Sequence, residues 1–261
     1  MRVLVTNDDG WESPGIHVLA RAIAVRGHEV IVVAPTRDRS GASAAVGPLH
    51  QAGAIPFEEH KWDDLPGVRV LAIDAPPATA VYAAVLGGFG DTPDAVASGV
   101  NPGANTGHLV LHSGTVGAAL SAATLGVPAI ATSVAWNADD RHHFGTAADL
   151  AAAALEWVTA GRESRPRVLN INAPDLPTQE VRGVREASLA PYGEFWVTNA
   201  DSETGDLRIE FRGRTQEPGA DTDLALVRDG FATVTPLTTI DRAGIAGAAD
   251  AIRETWVPQG R

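Results

Sequence analysis

The first 34 residues restrict the fold more than any other part of the chain. Residues 2–6 (RVLVT) and 29–34 (EVIVVA) are short apolar runs rich in β-branched side chains. Between them, Pro14 to Arg26 carries Ile16, Leu19, Ala20 and Ile23 at helical spacing, with Pro14 suited to a first helical turn and Gly27 as a stop. Two strands without a polar face, joined by an amphipathic helix, form a βαβ unit. Such strands belong in a parallel sheet covered on both sides.

The same rhythm continues less regularly, with strands expected at 68–73, 95–97, 128–134 and 167–172 and helices at 78–86, 114–125 and 144–159. Residues 183–215 break it and read as a β-hairpin arm, with strands at 196–198 and 207–211 flanking a turn at 201–206. A helix is expected at 240–256. With no internal repeat and no low-complexity linker, the 261 residues are expected to form a single α/β domain over 1–261. The arm at 183–215 and a C-terminal segment at 238–261 extend it.

Composition removes several functional classes. A hydrophobic fraction of 44% supports a sizeable core, yet no run approaches the roughly 18 apolar residues of a membrane span. The opening residues run from a strand into a polar turn, unlike a signal peptide. The absence of cysteine excludes disulfides, thiolate metal sites and cysteine nucleophiles, and cytoplasmic residence is the default expectation. A net charge of −12 argues against binding a nucleic-acid polymer, while a small phosphorylated ligand remains compatible if a metal inverts the local field.

Open parallel sheets bind ligands beyond the carboxyl ends of their strands, where three loops should converge: 6–10, 35–43 and 98–115. Asp8 and Asp9 are adjacent carboxylates that repel unless a cation or several donors compensate. Oxygen donors of this kind suit Mg²⁺ or Mn²⁺; the alternative is a helix N-cap followed by a Gly10 turn. The second loop brings Ser40 and Gly41, with hydroxyls and backbone N–H groups between arginines, and also reads as a solvated turn. The third brings Asn101 and Asn105 among glycines. It leads to Ser113-Gly114-Thr115, which is either a phosphate cradle at a helix start or an ordinary N-cap. His108 and His112 lie beside that cradle in sequence. His142 and His143 are adjacent and cannot face the same way on a helix. Trp11 directly follows the acidic turn, where it could wall a substrate base; the other tryptophans read as core or interface.

Four runs, TNDDGWESPGI (6–16), VVAPTRDRSGAS (32–43), SGVNPGANTG (98–107) and HSGTVGAAL (112–120), resemble in content and order the SurE survival-protein family of 5′/3′-nucleotidases. The resemblance covers about residues 1–48 and 94–134, with weaker likeness at Thr222-Asp223 and 234–237. It implies a Rossmann-like, doubly wound, mostly parallel sheet with a β-hairpin arm and a C-terminal segment exchanged in a homodimer or homotetramer. It also implies one Mg²⁺ or Mn²⁺ per subunit held by Asp8, Asp9, Ser40 and Asn101, with phosphate contacts from Asn105, Ser113, Gly114 and Thr115. The implied reaction is hydrolysis of nucleoside monophosphates.

The chain departs from the family pattern at 75–81, where an Asp and a Cys are missing, at Gly107-His108-Leu109, at His112 and at Ser121. Those changes surround the metal quartet without touching it. They keep two alternatives in view: a phosphatase for another small metabolite, and a metal- or nucleotide-binding protein without turnover. Residues 17–35 also resemble the opening of two-domain sugar-nucleotide glycosyltransferases, but 261 residues leave little room for a second such domain.

Overall fold

The computed structural model describes residues 1–47, 53–138, 142–160, 168–193, 195–203, 206–213 and 217–238. The helix expected at 240–256 and nearly all of the C-terminal segment lie outside these residues. Strands β1 (Arg2–Thr6), β2 (Glu29–Pro35), β4 (Arg69–Ile73), β5 (Ala95–Pro102), β6 (Ala129–Val134) and β7 (Val168–Ala173) form the parallel heart of a sheet. Its full order is β3-β4-β2-β1-β5-β6-β7-β11-β8. The edges depart from the repeat. Strand β3 (Phe57–His60) runs antiparallel to β4 and strand β11 (Ala232–Leu237) antiparallel to β7, and β8 (Val184–Glu186) joins β11 in parallel.

The period of two in each strand sorts the core into two layers. Val3, Val5, Val32 and Val70 point to the face covered by α1 (Pro14–Val25) and α4 (Phe144–Thr159). Leu4, Ile31, Val33, Leu71 and Val96 point to the other, covered by α2 (Pro77–Val85) and α3 (Gly114–Thr124). Helix α1 is capped by Ser13, whose hydroxyl accepts the Gly15 N–H at 3.3 Å. That leaves Asp8 and Asp9 free of the capping role.

Strand order proceeds outward from β1 through β2 and β4, then outward the other way through β5, β6 and β7. The reversal makes a crevice at the carboxyl ends of β1 and β5. Asp8 and Asp9 follow β1, and Asn101 lies in the last turn of β5.

The arm is smaller than expected. Residues 184–186 belong to the main sheet, and only β9 (Phe195–Glu203) and β10 (Asp206–Gly213) form the separate antiparallel hairpin. Its strands pair as far as Glu203 with Asp206, within the 201–206 span where a turn was expected. Strand β3 and helix α5 (Asp223–Arg228) are too short to show periodicity.

Gly15 fixes how close α1 lies to β5: a Cβ there would overlap the Val100 carbonyl oxygen. Helix propensity alone favours alanine by up to ~1 kcal/mol, whereas forcing atoms into a filled backbone contact costs about 1–3 kcal/mol or more. Gly15→Ala is therefore expected to lower stability in urea unfolding. A midpoint equal to or above wild type would show that this contact is not tight.

Candidate metal and phosphate site

Asp8 reaches across the crevice to the start of α3. Its Oδ2 accepts the Gly114 N–H at 3.0 Å, and its Oδ1 accepts the Thr115 hydroxyl at 2.5 Å. A carboxylate suits this position, because a helix start presents unpaired N–H groups and a positive dipole end. Gly114 makes the approach possible, since a Cβ there would stand 2.6 Å from Asp8 Oδ2. Burial still pushes the Asp8 carboxyl above its usual range, and the Thr115 hydroxyl and the Gly114 and Thr115 N–H groups work against that rise. Each oxygen has one accepted bond among its lone pairs, so both keep acceptor capacity.

Asp9 has no such compensation. Its Oδ2 is buried without a hydrogen-bond partner. Burial first, then the charges of Asp8 and Asp38, push its carboxyl up to about 8. Asn7 shapes the turn that holds both acids: its side chain accepts from Gly10 N–H and donates to the Gly10 carbonyl. The loop after β2 is tied to the same turn, with Arg39 N–H donating to the Asp8 carbonyl at 2.7 Å. Within that loop, Asp38 Oδ1 accepts both the N–H and the hydroxyl of Ser40, at 2.7 and 2.6 Å. The Ser40 hydroxyl thus spends its proton on Asp38 and keeps its lone pairs for a cation.

Asn101 joins through Thr115, whose Oγ1 lies 3.4 Å from Asn101 Oδ1, while the Asn101 amide donates to the Gly103 carbonyl at 2.7 Å. Asn105 is fastened to the neighbouring strands. Its N–H donates to Asn172 Oδ1, its carbonyl accepts from the Asn170 and Asn172 amides, and its own amide donates to Ser133. Ser113 accepts the Val116 N–H at 3.1 Å and so caps α3. Two of the expected phosphate donors therefore have another use in this state: Gly114 N–H and the Thr115 hydroxyl serve Asp8. Gly41 sits on the exposed loop at φ +80°, beside Ser40.

Hydrogen bonds thus join Asp8, Asn101, Gly114 and Thr115, with Asp9 and Ser113 next to them in the chain, while Ser40 is held by Asp38 in the loop that Arg39 ties to the Asp8 carbonyl. Among the described residues no cluster of three or more His, Cys, Asp or Glu is placed to hold a metal. The candidate set instead combines two carboxylates with a hydroxyl and an amide, all oxygen donors suited to a hard cation. The unpartnered Asp9 oxygen beside two further acids is the observation that fits one: a divalent ion would supply the missing counter-charge.

Other candidates fall elsewhere. His108 and His112 are exposed on the short 3₁₀ turn at 107–111 and just after it. Trp11 stacks on His60, with ring centroids 3.8 Å apart, so one face of its indole is covered. Buried Ser121 donates back to the Gly117 carbonyl and brings no charge to the site. Asp38, Asn170 and Asn172 escaped sequence reading, although two asparagines at alternate positions of a buried strand had to find polar partners.

Asp9 gives the metal-free protein a signed pH dependence. An ordinary Asp titrates near 3.8 and this one near about 8, so the folded state binds more protons between those values. Its contribution to stability is present below about pH 4 and is lost as pH rises through about 8. Without metal, the melting temperature of wild type is expected to fall relative to Asp9→Asn between pH 5 and 8, by on the order of 3 °C or more. Mn²⁺ at pH 8 should raise the wild-type value and leave the variant unchanged; parallel pH curves would contradict this. Asp38→Ala is expected to weaken Mn²⁺ binding about tenfold by calorimetry, as loss of a group orienting a ligand does; unchanged affinity would remove Asp38 from that role.

Comparison with known proteins identifies the family. A family model described as "Survival protein SurE" matches residues 3–193. A protein named 5′-nucleotidase SurE from Xanthomonas campestris pv. campestris (strain B100) is 38% identical over 240 residues, covering 91% of this chain and 89% of that one. A protein of the same name from Xanthomonas euvesicatoria pv. vesicatoria (strain 85-10) is 37% identical over 247 residues, with the same coverage. The crystal structure of the SurE protein from Aquifex aeolicus superposes with a TM-score of 0.71 at 27% identity, covering 98% of this chain and all of the other. On fold, site geometry and sequence together, the chain belongs to the SurE family.

Proposed function

We propose that this protein is a divalent-metal-dependent phosphomonoesterase that hydrolyses nucleoside monophosphates to nucleoside and phosphate. The observation that carries the reading is the Asp9 carboxylate, buried beside Asp8 and Asp38 with one oxygen unpartnered at the point where the strand order reverses. The relatives named 5′-nucleotidase SurE support the substrate class. Asp8, Asp9, Ser40 and Asn101 are the residues that would hold one Mg²⁺ or Mn²⁺ per subunit. Such an ion supplies charge neutralisation at the phosphoryl oxygens.

The protein groups have separate tasks. Asp8 is locked in place by α3 and orients the acidic turn. Ser40 presents lone pairs because Asp38 takes its proton. Asn105, fixed by β6 and β7, and the Ser113 hydroxyl at the helix start border the place for the phosphate. Gly41, beside Ser40 on the exposed loop, would offer its backbone N–H to the phosphate. The closing of this crevice by rigid elements fits a reaction whose catalysis is mostly positioning and electrostatics.

The chain is read as a cytoplasmic homodimer or homotetramer. The β9–β10 hairpin supports this, since it forms its own two-stranded sheet and an isolated hairpin is marginally stable in water. Purified enzyme is expected to release phosphate from p-nitrophenyl phosphate and from nucleoside 5′- or 3′-monophosphates. EDTA should abolish that release, Mn²⁺ or Mg²⁺ should restore it, and Asp9→Asn should reduce it by about 10²-fold or more. Full activity in EDTA or in Asp9→Asn would contradict the assignment. Turnover of sugar phosphates or polyphosphate in preference to nucleotides would move the substrate to another small metabolite.

A further inference from the structure

The crevice has one closed side and one open side. Towards β2, the loop after that strand is packed onto α3: Ser43 donates its hydroxyl to the Leu111 carbonyl at 2.7 Å and its N–H to the His112 carbonyl at 3.3 Å. Gly117 of α3 lies against the Ser43 backbone so closely that a Cβ would overlap it. Beyond β5, the carboxyl ends of β6 and β7 instead border a cleft of about 450 Å³, lined by Ala104, Trp136, Asn137, Asp175, Leu176 and Leu224 among others. That volume suits a small organic group.

Two features connect this cleft to the phosphate end. Ala104 lines it and is flanked by Asn101, three residues away, and by Asn105. Three residues of chain reach at most about 11 Å, a distance comparable with the extent of a nucleotide from phosphate to base. The asparagine loop is also bonded directly to the floor strands, through Asn105 to Ser133 on β6 and to Asn170 and Asn172 on β7. A phosphate ester seated between β1 and β5 would find its open direction over β6 and β7.

The lining suits a flat ring. Trp136 lies two residues past the end of β6 and is 59% exposed, an unusual placement for a large aromatic residue unless something covers it. Its loop is held by Asp175, whose carboxylate accepts the Asn137 amide at 2.6 Å and the His143 N–H at 2.6 Å, with His143 Nδ1 at 2.9 Å. Burial would raise the Asp175 carboxyl, but those hydrogen bonds outweigh it and hold the group below the usual range. Asp175 and Arg228 both line the cleft, so its polar groups carry opposite charges, while Leu176 and Leu224 supply apolar floor beside the Trp136 ring. Aromatic platforms hold bases with little sequence preference, because every base has a π-face.

We propose that this cleft receives the nucleoside half of the substrate, with its base lying on Trp136. The inference rests on the phosphomonoesterase reading and makes Trp136 a specificity-determining residue, remote from the metal. The test is steady-state kinetics of wild type, Trp136→Ala and Trp136→Phe with adenosine 5′-monophosphate and with glycerol phosphate, which has no ring, plus inhibition by inorganic phosphate. Trp136→Ala should raise KM for the nucleotide about tenfold, with KM for glycerol phosphate and the phosphate inhibition constant changed less than twofold. Trp136→Phe should recover most of the difference.

Equal changes for both esters, or none for the nucleotide, would overturn the assignment. So would a change of oligomeric state in Trp136→Ala with nucleotide KM unaltered, which makes the cleft a subunit contact. If the wild type releases phosphate from neither ester, the hydrolase reading fails separately. The cleft is then judged by calorimetric titration with adenosine: binding lost in Trp136→Ala supports it, and no binding to wild type overturns it.

Discussion

The site depends on one contact made across more than 100 residues of sequence: the Asp8 carboxylate seated on the first turn of α3. It joins the end of the first strand to the helix that follows the asparagine loop, so the two halves of the parallel sheet meet in a fixed crevice. The contact uses a glycine at 114, where a Cβ would meet the Asp8 carboxylate, a hydroxyl at 115 and an acid at 8. Donors at the helix start compensate much of the charge on Asp8, but their reach ends there. The neighbouring acid, Asp9, is left buried with Asp8 and Asp38 around it.

That imbalance gives the site its chemistry. A proton can occupy Asp9 in the metal-free protein, and a cation can replace it; both relieve the same buried charge. Competition between proton and metal follows from the packing of the crevice. It also explains why the loop after β2 carries an acid at 38 beside Ser40: the acid orients the hydroxyl while adding negative potential for a cation. The crevice therefore combines a tied scaffold with an unpartnered carboxylate oxygen on Asp9, a combination frequent at functional sites.

Much of this was readable from sequence because the signals were strong and local. Continuous apolar strands with a helical stripe between them place β1, α1 and β2 nearly residue for residue. Strand β5 was read as three residues and is eight, since its second half, Ser98 to Pro102, has glycine and asparagine where periodicity expects apolar side chains. The edge strands β3 and β8, and β11 next to β8, are set by pairing with neighbours and not by their own pattern, so local reading could not fix them. For the proposed site, loop convergence and family likeness pointed to Asp8, Asp9, Ser40 and Asn101. The engagement of Gly114 and Thr115 by Asp8 was not visible, because it depends on two segments distant in sequence. Trp136 was invisible for another reason: whether a tryptophan is core or exposed is decided by the ends of β6 and β7, which only the fold brings together.

Closed packing towards β2 and an open cleft over β6 and β7 give the crevice a direction, with the acidic turn at β1 and β5 and the Trp136 cleft beyond. The most direct measurement of the central claim is anomalous diffraction at the manganese edge from crystals grown with Mn²⁺. The account predicts one peak per subunit within bonding distance of Asp8, Asp9, Ser40 and Asn101. A peak ligated by histidines, or one remote from Asp9, would contradict it.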